Sequence, residues 1–163
     1  DGLGELRVRG PAVFREYWGK PQATGEAFDA EGFFLTGDTV QLGGSPPLWR
    51  IVGRTSVDII KYNGYKISAL DIENKLLQHP DIRECAVLGV PDAVRGQLVG
   101  AVLGMREGAP ALDVRTLTGW CADKMPPYHT PTRLTVVDAI PRNAMGKINK
   151  KQLLKDMFPA DAP

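Results

Sequence analysis

Residues 53–73 read Gly-Arg-Thr-Ser-Val-Asp-Ile-Ile-Lys-Tyr-Asn-Gly-Tyr-Lys-Ile-Ser-Ala-Leu-Asp-Ile-Glu, and the chain changes character on either side of this stretch. The β-branched run Val57–Ile60 predicts a strand, and Asn63-Gly64 is typical of a tight hairpin turn. Tyr65–Ile67 then predicts the returning strand. We therefore expect a polar joint followed by a short β-hairpin.

A helix is predicted directly after this hairpin. Ser68, followed three residues later by Asp71, is typical of a capped helix start, and the helix should end near Gln78. The basic residues of the stretch, Arg54, Lys61 and Lys66, would then stand on short, well-determined structure. Such an arrangement suits a phosphorylated ligand, although a solvated basic face is the simpler alternative.

The composition is that of a globular protein: 43% of the 163 residues are apolar and 24% are charged. A net charge of +1 gives no electrostatic support for a nucleic-acid or acidic-membrane partner. No apolar run approaches the roughly 18 residues that a membrane span needs. The first residues, Asp1-Gly2-Leu3-Gly4, include neither a start methionine nor a signal peptide, so the chain is interpreted as an internal segment, with any targeting sequence outside it.

The two cysteines, Cys85 and Cys121, have no partner at the spacing of a zinc site or a redox pair. Cys85 lies in an apolar run and Cys121 on the face of a predicted helix. We therefore expect two buried free thiols in a reducing compartment, and no metal site.

Residues 1–53 are predicted to be mostly strands and turns. Leu6–Arg9 alternates like a strand, Val13–Trp18 is a short aromatic segment, and Val40–Leu42 should pair with Leu48–Val52. Because this part is short, we expect Leu6–Arg9 and Val40–Leu42 to have exposed strand edges that favour self-association.

Residues 54–163 are predicted to form an independently folding α+β unit with two helices over one face of a short sheet. Beyond the hairpin, its predicted strands are Ile82–Val90, Leu98–Met105 and Leu134–Val137, and its later helices are Asp113–Lys124 and one from Asn149 to Phe158.

Two short motifs carry groups suited to nucleotide chemistry. Thr36-Gly37-Asp38 presents a carboxylate that can accept both hydroxyls of a ribose, or that simply bonds its own turn. Gly146-Lys147 offers a mobile ammonium in a proline-bounded loop, or only a solvated one. Taken singly, neither motif decides between these interpretations.

The order and spacing of four motifs identify a family. The Thr-Gly-Asp turn is followed by Gly-Arg-x-x-x-Asp-x-x-Lys-x-x-Gly-x-Lys-x-x-x-x-x-Ile-Glu, then Pro-Tyr-x-x-Pro, then Pro-Arg-Asn-x-x-Gly-Lys. This series resembles the C-terminal third of the adenylate-forming acyl-CoA synthetase family, which includes luciferases and peptide-synthetase adenylation domains. Within the family, the phrases at residues 8–18 and 54–61 resemble the mitochondrial malonyl-CoA synthetase-like members.

The resemblance implies roles for several residues. Asp38 and Arg54 match the pair that binds the ribose hydroxyls of ATP and of the acyl-adenylate, and Lys147 matches the lysine that enters the active site during adenylation. The hairpin at Gly64 matches the element lining the pantetheine tunnel. The remaining hairpin positions implied in CoA or nucleotide binding are Lys61, Tyr65 and Lys66.

Two departures from the family pattern concern the joint and the Pro-Tyr motif. One extra residue after Arg54 leaves Ser56 and Val57 as alternative hinge positions. His129 stands where the family frequently has lysine or arginine, which weakens the case for a CoA-phosphate contact there. Neither His129 nor His79 is assigned to catalysis.

The activity implied by the resemblance is that of an ATP-dependent carboxylic acid:CoA ligase that forms an acyl-adenylate and then an acyl-CoA, with malonate as the acid that the phrase-level resemblance suggests. Residues 1–53 would end the large N-terminal AMP-binding body, and residues 54–163 would be the mobile C-terminal lid. The phosphate loop, the adenine motif and the acyl pocket lie outside this sequence, so we expect the isolated chain to be inactive.

Two other functions stay open: an adenylation domain that loads a carrier protein, and a non-enzymatic lid acting as a binding module. The ligase interpretation implies ATP, CoA and magnesium, a small carboxylic acid, and the missing N-terminal domain as partner. It also implies the mitochondrial matrix, with the cytoplasm as the alternative.

Overall fold

The computed structural model describes residues 2–159, which form two compact units that divide between Ser56 and Val57. The strands are Leu3–Val8 (β1), Phe34–Gly43 (β2), Leu48–Arg54 (β3), Ile59–Tyr62 (β4), Tyr65–Ser68 (β5), Ile82–Asp92 (β6), Gly96–Met105 (β7) and Arg133–Val137 (β8). The helices are Pro21–Ala27 (α1), Ala69–Leu76 (α2), Val114–Cys121 (α3) and Lys150–Met157 (α4), with a 3₁₀ turn at Pro127–His129. The α+β class predicted from the sequence is confirmed.

The first unit contains an antiparallel sheet in the order β1-β2-β3. The predicted hairpin is confirmed, because Val40 lies opposite Ile51 and Leu42 opposite Trp49. The expectation that Val40–Leu42 forms an exposed edge is wrong, since β2 is the central strand and Val40 is buried. The most exposed large apolar residues of this sheet belong to β3: Leu48, Trp49 and Ile51 are 68%, 66% and 62% exposed.

The aromatic segment predicted at Val13–Trp18 forms neither a helix nor a strand. It is held by ring packing, in which Phe14 lies 4.8 Å from Tyr17, 5.5 Å from Phe28 and 5.0 Å from Phe34, measured between ring centroids. The helix that follows, α1, was not predicted. It begins at Pro21, and proline is a favoured first helical residue. The helix has only seven residues, one of them glycine, so its apolar residues show little helical periodicity.

The second unit contains a five-stranded sheet in the order β5-β4-β7-β6, with β8 parallel to β7. The hairpin β4–β5 joins this sheet where Tyr62 lies opposite Gly96. Among the described residues β6 pairs only with β7. The Val87 N–H of this edge strand donates to Glu73 Oε1 at 2.8 Å, so a side chain of α2 caps one of its amides.

The joint stretch differs from the prediction at its start and agrees at its end. Residues 55–58 form a turn, and β4 begins at Ile59 instead of Val57. The backbone of Asp58 serves another contact, because its carbonyl accepts from the Ala69 N–H at 2.7 Å. Asn63 and Gly64 both have positive φ, 46° and 83°, as a two-residue hairpin of the favoured hand requires.

Helix starts follow the predicted caps. Ser68 Oγ accepts from the Asp71 N–H at 3.2 Å, and Asn149 Oδ1 accepts from the Gln152 N–H at 3.2 Å. These bonds satisfy amides that have no partner within the helix. Asp113 Oδ1 caps α3 in the same way through the Thr116 N–H, at 2.7 Å.

The prediction of two helices on one face accounts for only part of the packing. Helices α2 and α3 contribute Ile72 and Leu117 to one core cluster, whereas α4 contributes Leu153 to a second. Strand β6 serves both clusters, with Val87 in the first and Leu88 in the second. A strand covered on both faces is apolar at nearly every position, so its sequence does not show how many faces carry helices.

Cys85 and Cys121 are buried and free, as the sequence predicted. Burial raises the pKa of Cys85 to about 12, assisted by the nearby Glu73. Burial also raises the pKa of Cys121. Both thiols are therefore protonated at neutral pH.

Candidate functional site

Asp38 and Arg54 lie directly opposite each other on β2 and β3. Asp38 Oδ1 is 3.4 Å from Arg54 Nη1, and the two side chains are 31% and 57% exposed. The same Arg54 nitrogen donates to the Thr36 carbonyl. The sheet register thus presents a carboxylate and a guanidinium side by side, and together they can accept from and donate to a diol.

The Thr36-Gly37-Asp38 turn holds this pair in place. Thr36 Oγ1 donates to the Leu6 carbonyl at 2.8 Å and accepts from the Asp38 N–H at 3.1 Å. Gly37 has φ 73°, and a Cβ at this position would lie 3.1 Å from Arg54 Nη1. Glycine therefore meets two needs here, the left-handed backbone and the close approach of the guanidinium.

The hairpin β4–β5 has an apolar face and a cationic face. Ile60 and Ile67 lie opposite each other and are each 1% exposed, whereas Lys61 lies opposite Lys66 on the outer face. Like charges directly opposite in a ladder are unfavourable, so this arrangement favours a bound anion. The Lys61 N–H itself is held by Gln97 Oε1 at 2.7 Å, which fixes the strand that carries the pair.

Tyr65, at the start of β5, stacks on Tyr128 with ring centroids 5.3 Å apart. Tyr128 in turn meets the His129 ring edge-on at 4.7 Å. Burial lowers the pKa of His129, and Asp71 offsets only part of this effect. His129 is therefore mainly neutral at pH 7 and does not supply the positive charge that lysine or arginine would supply there.

Lys147 lies in the loop between β8 and α4. Hydrogen bonds to Asn143 hold the backbone of this loop. Asn143 Oδ1 accepts from the N–H groups of Met145 at 3.0 Å and Lys147 at 2.9 Å, and the Asn143 N–H donates to the Lys147 carbonyl at 2.9 Å. The Gly146 N–H donates to the Asn143 carbonyl at 2.8 Å. The side chain of Lys147 is exposed, and within residues 2–159 no carboxylate pairs with it.

A second set of contacts ties this loop to the sheet. Arg142 donates to the Gly146 carbonyl at 3.1 Å and to Glu84 Oε2 at 3.2 Å. Glu84 Oε1 also accepts from the Ile140 N–H at 3.2 Å. Although burial acts to raise the pKa of Glu84, the bonds from Ile140, Arg142 and Arg83 outweigh it and lower that pKa. The carboxylate is therefore charged and available to hold Arg142 at neutral pH.

The two predicted hinge residues lie in the turn between β3 and β4. Ser56 is exposed and Val57 is half-buried. The chain divides into its two compact units between these residues. The predicted hinge positions thus coincide with the boundary between the two units.

The structure also identifies groups that sequence reasoning missed. Lys150, at the start of α4, is an 11% exposed side chain whose Nζ lies 2.6 Å from Asp58 Oδ1 and 2.8 Å from Glu73 Oε1. Nothing local predicts this cluster, because its members are far apart in the sequence. Asn143 could have been found, since an Asn side chain in a loop commonly bonds the backbone two residues further on, as it does here at Met145.

No group of three His, Cys, Asp or Glu side chains within residues 2–159 is arranged to hold a metal ion. In the same part of the chain, no helix has both the length and the apolar character needed to cross a membrane. The acidic groups near the candidate residues are instead engaged with Arg54, Arg142 and Lys150.

Comparison with known proteins places these residues in a family. Residues 71–147 match the model of the AMP-binding enzyme C-terminal domain. A mitochondrial malonate–CoA ligase from Mus musculus is 53% identical over 157 residues, which cover 96% of this chain and 26% of the mouse protein. The chain therefore spans about a quarter of the length of that curated relative.

Solved structures agree with this assignment. ATP-bound MatB from Rhodopseudomonas palustris matches 96% of this chain and 30% of its own, with 32% identity and a TM-score of 0.81. The amide bond synthetase McbA from Marinactinospora thermotolerans matches 96% of this chain and 31% of its own, with 31% identity and a TM-score of 0.81. The chain belongs to the adenylate-forming acyl-CoA synthetase family and corresponds to the C-terminal part of its members.

Proposed function

We propose that the chain is the C-terminal part of an ATP-dependent carboxylic acid:CoA ligase whose acid is malonate. The observation that carries the proposal is the 53% identity to a malonate–CoA ligase over nearly the whole chain. Identity to the amide bond synthetase, which shares the fold, is 31%. Since the fold is common to both activities, the closer sequence relationship favours CoA as the acyl acceptor.

The first proposed step joins the carboxylate to ATP and releases pyrophosphate. Asp38 would accept hydrogen bonds from the ribose hydroxyls while Arg54 donates to the same diol. The 3.4 Å separation of their charged atoms supports this role, because one diol can reach both groups. The partial exposure of both side chains leaves the pair accessible to a nucleotide.

Lys147 is the proposed catalytic residue of this step. Its ammonium would lie between the attacking carboxylate and the α-phosphate and offset the negative charge that develops there. Two features support the role: the ammonium has no carboxylate partner within the described residues, and Asn143 holds its backbone at both N–H and C=O.

The second proposed step transfers the acyl group to CoA, with release of AMP. The hairpin at Gly64 would line the pantetheine tunnel, where a glycine leaves room for the thiol. The paired ammonium groups of Lys61 and Lys66 would attract CoA or nucleotide phosphates, and Tyr65 would border the same path. The outward-facing cationic pair is the observation that supports this assignment.

A rotation about the joint would exchange these two sets of groups. Residues 1–53 are proposed as the end of the N-terminal AMP-binding body and residues 54–163 as the mobile lid, with Ser56 or Val57 as the hinge. The division of the chain into two compact units between Ser56 and Val57 supports this hinge.

The missing N-terminal body would supply the remaining groups. ATP chemistry implies magnesium, which would be bound together with ATP. The mitochondrial designation of the mouse relative supports the mitochondrial matrix as the compartment. Imaging of the tagged full-length protein tests this, and a cytoplasmic signal would contradict it.

The function is tested by expressing the full-length enzyme that contains this chain and supplying malonate, ATP, magnesium and CoA. We expect malonyl-CoA, AMP and pyrophosphate in equal amounts, measured by mass spectrometry and a pyrophosphate assay. Two controls replace CoA, one with an amine acceptor and one with a carrier protein. Product formed only with an amine or a carrier would contradict the proposal, as would ATP–pyrophosphate exchange with other acids but not with malonate.

A further inference from the structure

Lys150 occupies the opposite environment from Lys147, although only two residues separate them in the sequence. The Lys147 side chain is exposed, whereas the Lys150 side chain is 11% exposed and lies between two carboxylates. Burying an ammonium without partners would be very costly, and here the two ion pairs offset that cost. Such a group is therefore fixed in one place.

The three members of this cluster belong to different parts of the second unit. Asp58 ends the turn that leads out of the joint, Glu73 lies in α2, and Lys150 is the first residue of α4. Glu73 Oε1 contacts Lys150 Nζ at 2.8 Å and also accepts from the Val87 N–H of β6 at 2.8 Å. Through Lys150, the start of α4 is thus bonded to the joint, to a neighbouring helix and to the sheet.

This cluster lies at one end of the Lys147 loop. At the other end, Arg142 links the loop to Glu84 of β6. Between these two attachments, Asn143 fixes the backbone of Lys147. The loop is therefore anchored on both sides, and the anchor nearer to the joint is Lys150.

We propose that Lys150 is a positioning residue that, through its ion pairs with Asp58 and Glu73, fixes the start of α4 and so holds the Lys147 loop in its adenylating geometry. The proposal rests on the proposed function for its catalytic consequence, because it assumes that Lys147 acts in adenylation. Its structural consequence concerns only this chain: the loop should loosen when Lys150 loses its ion pairs.

The structural consequence is tested by amide hydrogen exchange in the present chain, followed by NMR. In Lys150→Met, exchange at Gly146 and Lys147 should accelerate about tenfold or more, since each ion-paired hydrogen bond is worth enough for such a change. Leu117→Ala serves as the control, because it removes a buried side chain of α3 that takes no part in the cluster. It should leave exchange in the loop unchanged.

A second variant guards against loss of folding. Lys150→Met removes the cation that Asp58 and Glu73 share, so Asp58→Asn combined with Lys150→Met removes one of the two carboxylates while Glu73 keeps its bond to Val87. Accelerated loop exchange in this double variant would support the proposal. Unchanged exchange at Gly146 and Lys147 in either folded variant would overturn it, whatever the enzyme's reaction.

The catalytic consequence is tested in the full-length enzyme. Lys150→Met should lower single-turnover acyl-adenylate formation about tenfold while thioester formation from supplied acyl-adenylate persists, and Lys150→Arg should restore part of the first step. Equal loss of both steps would show a merely structural role and overturn the proposal. Failure of the wild-type enzyme in both steps would contradict the proposed function and leave the exchange result to decide the role of Lys150.

Discussion

Asn143 holds Lys147 by both of its backbone groups, since its side-chain oxygen accepts the Lys147 N–H and its own N–H donates to the Lys147 carbonyl, each at 2.9 Å. The backbone of the loop is thereby fixed, while the long side chain of Lys147 stays free to reach a ligand. A lysine on fixed backbone loses less conformational freedom when it binds than one on a mobile loop.

Replacing Lys147 with alanine in the full-length enzyme should abolish most acyl-adenylate formation and leave CoA transfer from supplied acyl-adenylate largely intact. The reason is that the lone ammonium stabilises charge in one half-reaction only. We expect a loss of about 10²- to 10³-fold in the first step, as for other single groups that stabilise transition-state charge. Separate single-turnover assays measure the two steps, and equal losses would exclude the assigned role.

Gly64→Leu should have the reverse effect, with pyrophosphate release retained and thioester formation reduced. A Cβ added at Gly64 would have no atom of this chain within 4 Å. The leucine side chain would therefore extend into the proposed path of the thiol. The positive φ of 83° adds a strain of about 1–2 kcal/mol. Gly108→Leu is the matched control, because Gly108 has φ 74° and equally open surroundings. Similar rates of thioester formation in the two variants would show that the hairpin does not line the tunnel.

Gly37→Ala should weaken ATP binding without unfolding the first unit. The new Cβ would lie 3.1 Å from Arg54 Nη1 and displace the guanidinium from Asp38. We expect the KM for ATP to rise about tenfold, the magnitude of one hydrogen bond to a charged group. Gly32→Ala controls for backbone strain, because it has φ 80° with no atom near its Cβ. An equal rise in that variant would mean that the Asp38–Arg54 pair is not involved.

The raised pKa of Cys85 predicts a loss of stability in alkaline solution. Between the unfolded-state value near 9 and the folded value of about 12, the unfolded thiol releases its proton while the folded thiol keeps it. The free energy of unfolding should therefore fall by up to about 1.4 kcal/mol per pH unit in this window. Denaturant titrations of the chain at pH 8 to 10 measure this slope. Cys85→Ala should show a shallower slope, and equal slopes would contradict the prediction.

The isolated chain should self-associate through its first unit and should lack ATP–pyrophosphate exchange. Leu48, Trp49 and Ile51 expose apolar surface on the edge strand β3, which favours association. Ile51→Lys should shift sedimentation toward the monomer. Val94→Lys, at an 87% exposed position of the second unit, should not. A wild-type monomer at high concentration, or measurable exchange activity, would contradict the prediction.

Local features of the fold were predictable from the sequence. The Asn63-Gly64 turn and the Ser68 cap depend on residues next to each other in the chain, and both are confirmed. The predicted start of β4 at Val57 was wrong. Asp58, within this apolar run, makes tertiary contacts that an argument from strand propensity does not include. The sequence predicted two helices on one face of the sheet but did not place α4 on the other face, since strand β6 is apolar on both sides.

The candidate site divides in the same way. Asp38, Arg54 and Lys147 were found because their motifs are ordered and contiguous, and their roles stay predictions until the variants above are measured. Lys150 was missed because its partners Asp58 and Glu73 are brought to it only by the folded sheet and α2. A buried lysine has no sequence signature that distinguishes it from a solvated one.

The cap on the Val87 amide has a consequence for aggregation. An incoming strand from another molecule could add to the free edge of β6 only by replacing Glu73 as the acceptor of that amide. Displacing Glu73 would also separate it from Lys150, whose side chain is 11% exposed and would lose one of its two ion pairs. Intermolecular β-sheet growth at this edge is therefore opposed by the electrostatic energy of the cluster.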